Sequence, residues 1–185
     1  MPPSVSTVQQ KDSPTMSAPP GAPRTAAEAV GQIVWLLTQS PLHRELRLKD
    51  LEWSIMPAVM KEQFRIFRFG PLPAPDPATL PAGLDKAMIE QLPLGVAIWA
   101  NLSAEAEAKL ERGERLDLAD WTSGDRTWLI ELISPFANAE NKLLEVMLTD
   151  LATGPFRARS FSLHRTDPQT GTREKVTFDR HLQET

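Results

Sequence analysis

Few side chains in this sequence can take a proton from an amine or attack a carbonyl near neutral pH. The chain has three histidines and no cysteine, which excludes a cysteine nucleophile, a thiolate metal site and a disulfide. Of the three, His43 has the most unusual setting, a polar corner with the sequence SPLHR directly after an apolar helical segment. A lone histidine in this setting is either a solvated loop side chain or a general base, and position alone favours the first.

One carboxylate interrupts an apolar segment, at Glu131 in the middle of residues 127–133. Strand alternation predicts that Leu129, Glu131 and Ile133 share one face. The other face is apolar too, so we expect Glu131 to be buried. A buried carboxylate without a partner costs several kcal/mol or takes up a proton, so Glu131 should have a basic or hydrogen-bonding neighbour. His43 is the candidate, because a carboxylate beside an imidazole is the usual support for a histidine base.

Other polar and aromatic residues allow two interpretations each. Ser40 lies three residues before His43 and either donates to an oxyanion or ends the preceding helix, and the second is slightly favoured. Asp120 and Asp125 are competing carboxylates, but their turn-like sequence favours bonds to nearby backbone amides. The five tryptophans either line an acyl or aromatic pocket or belong to the core, which is the commoner case.

Several motifs are absent from the sequence. It contains no Walker-type loop, no dinucleotide-binding glycine pattern, no Gly-x-Ser-x-Gly and no paired-histidine metal motif. It also lacks a loop of the kind that holds the pyrophosphate of coenzyme A on a helix N-terminus. We therefore expect neither a metal nor a tightly bound cofactor.

The elements that would position His43 are two helical segments. Thr25 and Glu28 have the spacing of a capping box, and the apolar pattern that follows predicts a helix over residues 26–39. The helix should stop at Ser40, because the residue before a proline is pushed out of the helical region. A second helix is predicted over residues 48–61, with a kink at Pro57.

Strands and helices alternate along the rest of the chain. The patterns predict strands over residues 64–69, 94–101 and 127–133, helices that begin after Ser103 and Asn138, and a hairpin over residues 156–178. This order is typical of an α+β domain around a mostly antiparallel or mixed sheet.

The composition fits one domain of 185 residues, of which 41% are apolar and 24% charged. A net charge of −4 gives no reason to expect nucleic acid or an anionic membrane as a partner. Residues 1–24 contain six prolines and are predicted to be a disordered tail, residues 25–180 the domain, and residues 181–185 a C-terminal tail. A proline-rich insertion is expected at residues 70–93. The tail has neither a signal-peptide nor a transmembrane pattern, so we expect a cytoplasmic protein.

Several of these stretches together resemble the RTX toxin-activating lysine acyltransferases, bacterial enzymes that fatty-acylate protoxins such as haemolysin. The resemblance covers most of residues 30–150. It is carried by GQIVWL at 31–36, SPLHR at 40–44, MPA at 56–58, WANLS at 99–103 and DWTSGDRTWLIELISPF at 120–136.

The resemblance implies an N-acyltransferase-like (GNAT-like) fold that moves a fatty acyl chain from acyl-carrier protein to internal lysines of an RTX protoxin. The donor would be a phosphopantetheine thioester, and a homodimer is considered among the partners. It also implies that His43 is catalytic with Glu131 as its partner, and Ser40 is included as a third candidate. From the two shared tryptophan-containing motifs we take four candidate substrate-binding residues: Trp99, Asn101, Trp121 and Arg126.

The chain departs from the family pattern at the proposed partner itself. It has Glu131 where the family has aspartate, which makes the side chain one methylene longer, and small misplacements of catalytic groups are costly. The alternative hypothesis is therefore an acyltransferase-like module that has lost catalysis and binds the toxin or acyl-carrier protein.

Overall fold

The computed structural model describes residues 23, 25–68, 90–166, 170 and 172–179. Almost all of the predicted N-terminal tail, the C-terminal tail and most of the proline-rich insertion lie outside the described residues. The end of the insertion is described: Glu90 and Gln91 are helical, and a strand begins at Pro93.

Within the described residues, five strands form one sheet in the order β1-β2-β3-β4-β5. They are β1 (Phe64–Arg68), β2 (Pro93–Leu102), β3 (Arg126–Ile133), β4 (Phe161–Thr166) and β5 (Arg173–Phe178). Neighbouring strands are antiparallel except for β3 and β4, which pair in parallel over three residue pairs. The predicted α+β domain with a mixed sheet is confirmed.

Helices pack against both faces of the sheet. They are α1 (Ala26–Gln39), a 3-10 turn (Leu48–Asp50), α2 (Leu51–Ser54), α3 (Met56–Met60), α4 (Ala104–Glu111) and α5 (Leu143–Thr153). In the part of the chain that the structure describes, none of these helices is long and apolar enough to span a bilayer.

Helix α1 has the predicted bounds for the predicted reasons. The side chain of Thr25 accepts a hydrogen bond from the backbone N–H of Glu28 at 3.1 Å, as in a capping box. At the other end, Ser40 leaves the helical region with φ −92° and ψ 117°, because Pro41 follows it. The buried face of α1 packs against β2, so the end of the helix is fixed relative to the sheet.

Two predicted helices differ from the structure. The single kinked helix expected over residues 48–61 is broken at Ile55, and Pro57 lies in the first turn of α3, where its missing N–H costs nothing. Asn138 does not cap α5; its side chain accepts from the backbone N–H groups of Glu140 and Asn141, both at 2.9 Å, and closes a turn. Asparagine satisfies a turn as readily as a helix start, which explains the wrong prediction.

Each face of the sheet has its own apolar core. On one face, Ile33 and Leu36 of α1 pack in a cluster with Ile98 of β2 and Trp128 of β3. On the other face, Leu129 of β3 belongs to a second buried cluster, together with Ala97, Leu151, Phe156 and Phe161. The strand β3 is therefore covered on both sides, as its apolar sequence predicts.

Gly124 gives a test of the turn that precedes β3. A Cβ atom there would lie 2.5 Å from the carbonyl oxygen of Leu102 and 2.7 Å from the Cα of Ser103, and both are backbone atoms. We expect Gly124→Ala to lower the free energy of unfolding by about 1–3 kcal/mol, measured by urea denaturation.

Gly31 provides the matched control, since it lies in α1 and a Cβ atom there would have no neighbour within 4 Å. Gly31→Ala should raise the free energy of unfolding by up to about 1 kcal/mol, the difference in helix propensity. Equal effects of the two substitutions would contradict the close approach at Gly124.

Candidate active site

A tight turn after α1 fixes the position of His43. The backbone N–H groups of His43 and Arg44 both donate to the carbonyl oxygen of Ser40, each at 3.0 Å. The N–H of Leu46 donates in turn to the carbonyl of His43 at 2.9 Å. The backbone of the predicted polar corner is therefore held at both sides of the histidine.

The side chain of Ser40 holds the imidazole ring. Its Oγ lies 2.7 Å from Nδ1 of His43, within hydrogen-bond distance. Ser40 is only 6% exposed, and among the described residues it does not line the cavity described below. Its hydroxyl thus ends in the protein interior, where it sets the orientation of the ring.

Glu131 approaches the other ring nitrogen. Its Oε2 lies 3.6 Å from Nε2 of His43, close enough for a strong charge interaction and slightly too long for a hydrogen bond. The structure therefore brings together the two residues that are 88 positions apart in the sequence. The expected burial of Glu131 is wrong, because its side chain is 45% exposed and that of His43 is 22% exposed.

A β-bulge in β3 accounts for the orientation of Glu131. Ile98 of β2 pairs with Glu131, whereas the next residue, Trp99, pairs with Leu129, so Ile130 is an extra residue in β3. The bulge places Leu129 in the core on the opposite face, while Ile130 and Glu131 both line the cavity beside His43. The predicted shared face of Leu129 and Glu131 is wrong, since simple alternation does not continue through a bulge.

The contacts of His43 define two states of the ring. If Ser40 donates to Nδ1, the ring proton is on Nε2 and faces the carboxylate of Glu131. If Nδ1–H donates to Ser40, the lone pair of Nε2 is available to accept a proton. In the second state the proton that arrives at Nε2 creates an imidazolium 3.6 Å from a carboxylate, which stabilises it.

Beside this pair lies a cavity of about 390 Å³, a size typical of small-molecule sites. Half of the described residues that line it have apolar side chains, which come from α1 and the turn after it, α2 and the residue that follows it, α4, the segment before β3 and β3 itself: Leu37, Leu46, Trp53, Ile55, Leu110, Leu116, Trp121, Ile130 and Ile133. Two cations, Arg115 and Arg173, also line it. The cavity can therefore accept an extended apolar group next to a proton acceptor.

Of the four candidate substrate-binding residues, only Trp121 lines this cavity. Trp99 lies on the other face of the sheet, edge-on to Phe156 with ring centroids 5.4 Å apart. The side-chain oxygen of Asn101 accepts from the hydroxyl of Thr127 at 3.1 Å, which joins β2 to β3. The structure does not bring Trp99 or Asn101 to His43.

Arg126, the fourth candidate, is paired with a buried carboxylate that the sequence did not single out. Its Nη1 lies 2.6 Å from Oε2 of Glu107. The other oxygen of that carboxylate, Oε1, accepts from Nε1 of Trp128 at 2.9 Å and from Nζ of Lys175 at 2.8 Å. Burial alone would raise the pKa of Glu107, but the three hydrogen bonds outweigh it and the pKa lies below its usual value. Glu107 therefore ties α4 to β3 and β5 as a structural anion.

His164 is a second cavity residue that sequence reasoning missed. It lines the same cavity as His43, and its ring centroid lies 4.9 Å from that of Trp128. Burial, helped by the charge of Arg173, lowers the pKa of His164 below its usual value of 6.5. Its position in a predicted hairpin strand indicates which face of the sheet it occupies. The sequence of that strand does not indicate that this face borders the cavity.

Asp120, one of the competing carboxylates, has a structural role. Its Oδ2 accepts from Nζ of Lys109 and from the backbone N–H of Asp117, each at 2.9 Å. Across the described ranges, no group of three or more histidine, aspartate or glutamate side chains has the geometry to hold a metal ion.

The fold and the cavity define the class: an α+β domain with a histidine–carboxylate pair beside a partly apolar cavity. The chain belongs to the RTX toxin acyltransferase family, whose model matches residues 22–78 and 84–179.

Individual relatives agree with this family. The chain is 34% identical over 112 residues to the leukotoxin-activating lysine-acyltransferase of Aggregatibacter actinomycetemcomitans, a match that covers 60% of this chain and 55% of the relative. It is 32% identical over 113 residues to the RTX-I toxin-activating lysine-acyltransferase of Actinobacillus pleuropneumoniae (60% and 54%). It is 31% identical over 144 residues to a protein-lysine myristoyltransferase of Escherichia coli (77% and 69%). The chain thus spans about half the length of the first two relatives.

His164 makes the stability of the fold sensitive to acid. Because its pKa is lower in the folded protein than in the unfolded chain, the unfolded chain binds the proton first as the pH falls. The contribution of neutral His164 is complete above the usual value of 6.5 and is lost as the pH falls through the lower, folded value. We expect the free energy of unfolding to drop less between about pH 7.5 and about pH 5.5 in His164→Asn than in the wild type, measured by urea denaturation. An equal drop in both proteins would contradict this assignment.

Proposed function

We propose that this protein transfers a fatty acyl chain from acyl-carrier protein to the ε-amino group of lysines in an RTX protoxin. The observation that carries the proposal is the imidazole of His43, held by Ser40 at 2.7 Å and placed 3.6 Å from Glu131 in the wall of the cavity. The relatives support it by name, since they are toxin-activating lysine-acyltransferases and a protein-lysine myristoyltransferase.

The cavity suits the acyl chain. Burial of an alkyl chain against apolar walls contributes about 0.8 kcal/mol per CH₂ group, so a partly apolar site of this kind favours a long chain. Such walls are supplied by Leu37, Leu46 and Ile55 on the side of α1 and α2, and by Leu116 from the segment before β3. The acyl chain would then lie with its thioester end at His43.

The sheet supports an N-acyltransferase-like arrangement, which is part of the proposal. The parallel pairing of β3 and β4 ends at Leu129 and Leu163. Beyond these residues, Glu131 of β3 and His164 of β4 line the cavity. The site thus lies where the two parallel strands are no longer paired, which gives a ligand access to groups on both.

The chemistry requires a base for the acceptor. A lysine has a reference pKa of about 10.4 and attacks a thioester only in its neutral form. The lysine ammonium first loses one proton to solvent; Nε2 of His43 then takes a second proton as the neutral nitrogen bonds to the carbonyl carbon, and the C–S bond then breaks. The same proton passes to the leaving sulfur, so the base is restored. General base catalysis of this kind contributes roughly 10²–10⁴ in rate.

Glu131 and Ser40 have different tasks in this mechanism. The carboxylate of Glu131 attracts the lysine ammonium and stabilises the imidazolium of His43. Ser40 orients the ring through Nδ1. Its 6% exposure and its absence from the described cavity wall favour this positioning role over attack on the thioester or donation to its oxyanion.

A carrier protein fits as the donor. The phosphopantetheine arm is anionic, and Arg115 and Arg173 line the cavity. Arg115 lies over the ring of Trp53 at 4.3 Å, and neither arginine has a carboxylate within ion-pair distance among the described residues. The proposal places the protein in the cytoplasm with its donor. It allows the homodimer expected from the sequence, for which light scattering in solution gives the test.

Replacement of His43 tests the base directly. We expect His43→Ala to reduce the rate of acylation of a protoxin fragment by about 10²-fold or more, because the lysine then lacks a proton acceptor. The measurement is the gain of acyl mass on the fragment in the presence of acyl-carrier protein charged with a fatty acid. Unchanged thermal unfolding shows that the variant is folded. An intact acyl mass gain would contradict the role of His43.

Glu131 separates the enzyme from the alternative, a module that binds toxin or carrier but no longer catalyses. The alternative is favoured by one observation, the distance of 3.6 Å, which leaves no direct hydrogen bond between Glu131 and His43. For the enzyme, we expect Glu131→Gln to reduce the acylation rate by about tenfold or more. Glu131→Asp should also slow it, because the shorter side chain moves the carboxylate away from Nε2.

The control for Glu131→Gln is Glu45→Gln, which removes a carboxylate that is 90% exposed near the same histidine and should leave the rate unchanged. If Glu131→Asp acylates the fragment faster than the wild type, the protein is an active enzyme whose rate is lowered by having glutamate at this position. If neither form acylates the fragment and both bind it, the binding module is the correct function.

A further inference from the structure

One buried polar atom of a residue that lines the cavity has no hydrogen-bond partner among the described residues. Trp121 lines the cavity and is 2% exposed, and its indole Nε1 is buried without a hydrogen-bond acceptor in the described structure. Other tryptophans of this region do have one. Nε1 of Trp53 donates to Asp50 at 3.3 Å, and Nε1 of Trp128 donates to Glu107 at 2.9 Å.

An unpaired buried donor is unfavourable, because it has lost its hydrogen bonds to water without a replacement. The side chain of Trp121 cannot rotate to find another acceptor, because the residue is fixed by its neighbours. Its carbonyl oxygen accepts from the backbone N–H of Asn101 at 2.9 Å and from Nε2 of Gln63 at 3.1 Å, and the ring belongs to the central core. The backbone of Trp121 and its ring are therefore both fixed by the fold.

The chemistry of this donor restricts its partner. An indole N–H donates and never accepts, so the partner must present an acceptor. Along a fatty acyl thioester the alkyl chain offers none, and the carbonyl oxygen at its head is the acceptor. That oxygen gains negative charge when an amine attacks, so a donor aimed at it is most valuable in the transition state.

We infer that the indole N–H of Trp121 donates a hydrogen bond to the carbonyl oxygen of the acyl group bound in the His43 cavity. The inference rests on the proposed function, because it assigns the place of the thioester within that site. Because the N–H has almost no contact with solvent, the wall must adjust around the acyl group for the bond to form. Catalytic hydrogen bonds often tighten only in the complex.

The experiment compares two ligands that differ only at the carbonyl group. S-ethyl decanethioate carries the thioester oxygen, whereas ethyl decyl sulfide has a CH₂ group in its place. Both are titrated by calorimetry into the wild type and into Trp121→Phe, without an acceptor lysine. We expect the wild type to bind the thioester about two- to tenfold more tightly than the sulfide and Trp121→Phe to bind both equally.

Trp53→Phe is the matched control, since Trp53 lines the same cavity and its N–H already has a partner in Asp50. It should keep the preference for the thioester. In protoxin acylation, Trp121→Phe should lower kcat more than it raises KM, because the bond strengthens in the transition state.

Other outcomes overturn the inference. If Trp121→Phe keeps the preference for the thioester, or if it weakens the binding of both ligands equally, the ring of Trp121 only packs against the ligand. The acyl cavity of the proposed function still stands in that case. If the wild type binds both ligands without a preference, the N–H does not contact the carbonyl. If the wild type binds neither, the inference and the acyl site of the proposed function fail together.

Discussion

The extra residue in β3 is the constraint on which the candidate site depends. With regular alternation along β3, Glu131 would lie on the same side of the sheet as Leu129 and α5. The bulge at Ile130 turns it to the side of α1, where the helix ends at Ser40 and presents His43. The carboxylate and the imidazole thus come from two elements whose relative position is fixed by the core between α1 and β2. Bulges occur often beside active sites for this reason, since one inserted residue re-aims a side chain without changing the rest of the sheet.

Local signals predicted the elements that carry the site. The capping box at Thr25 and the proline at position 41 gave both ends of α1, because these residues act on their immediate neighbours. The apolar run around Glu131 predicted β3, because a short apolar segment is also a local signal. The prediction of Asn138 as a helix cap was wrong, since an asparagine serves a turn and a helix start through the same kind of hydrogen bond. Whether it does one or the other depends on residues that follow later in the chain.

The features that sequence reasoning missed depend on contacts between distant segments. The bulge is visible only in the register of β2 against β3, and the exposure of Glu131 follows from it. Glu107 was not singled out, because nothing near it in the sequence indicates that it is buried; Trp128 and Lys175 reach it from β3 and β5. The expectation that Glu131 needs a partner rested on its predicted burial, and that prediction is wrong. The partner is present because the site brings the two charges together.

The hydrogen bond between Ser40 and His43 has a consequence for how the ring handles protons. A carboxylate at Nδ1 would only accept, and it would fix the proton on that nitrogen throughout the cycle. A hydroxyl can rotate about its C–O bond and serve as donor or acceptor while its oxygen stays 2.7 Å from the ring. Both neutral tautomers of His43 are therefore compatible with the same positions of the heavy atoms. The imidazole can collect a proton and release it at a single nitrogen, and neither event requires the turn after α1 to move.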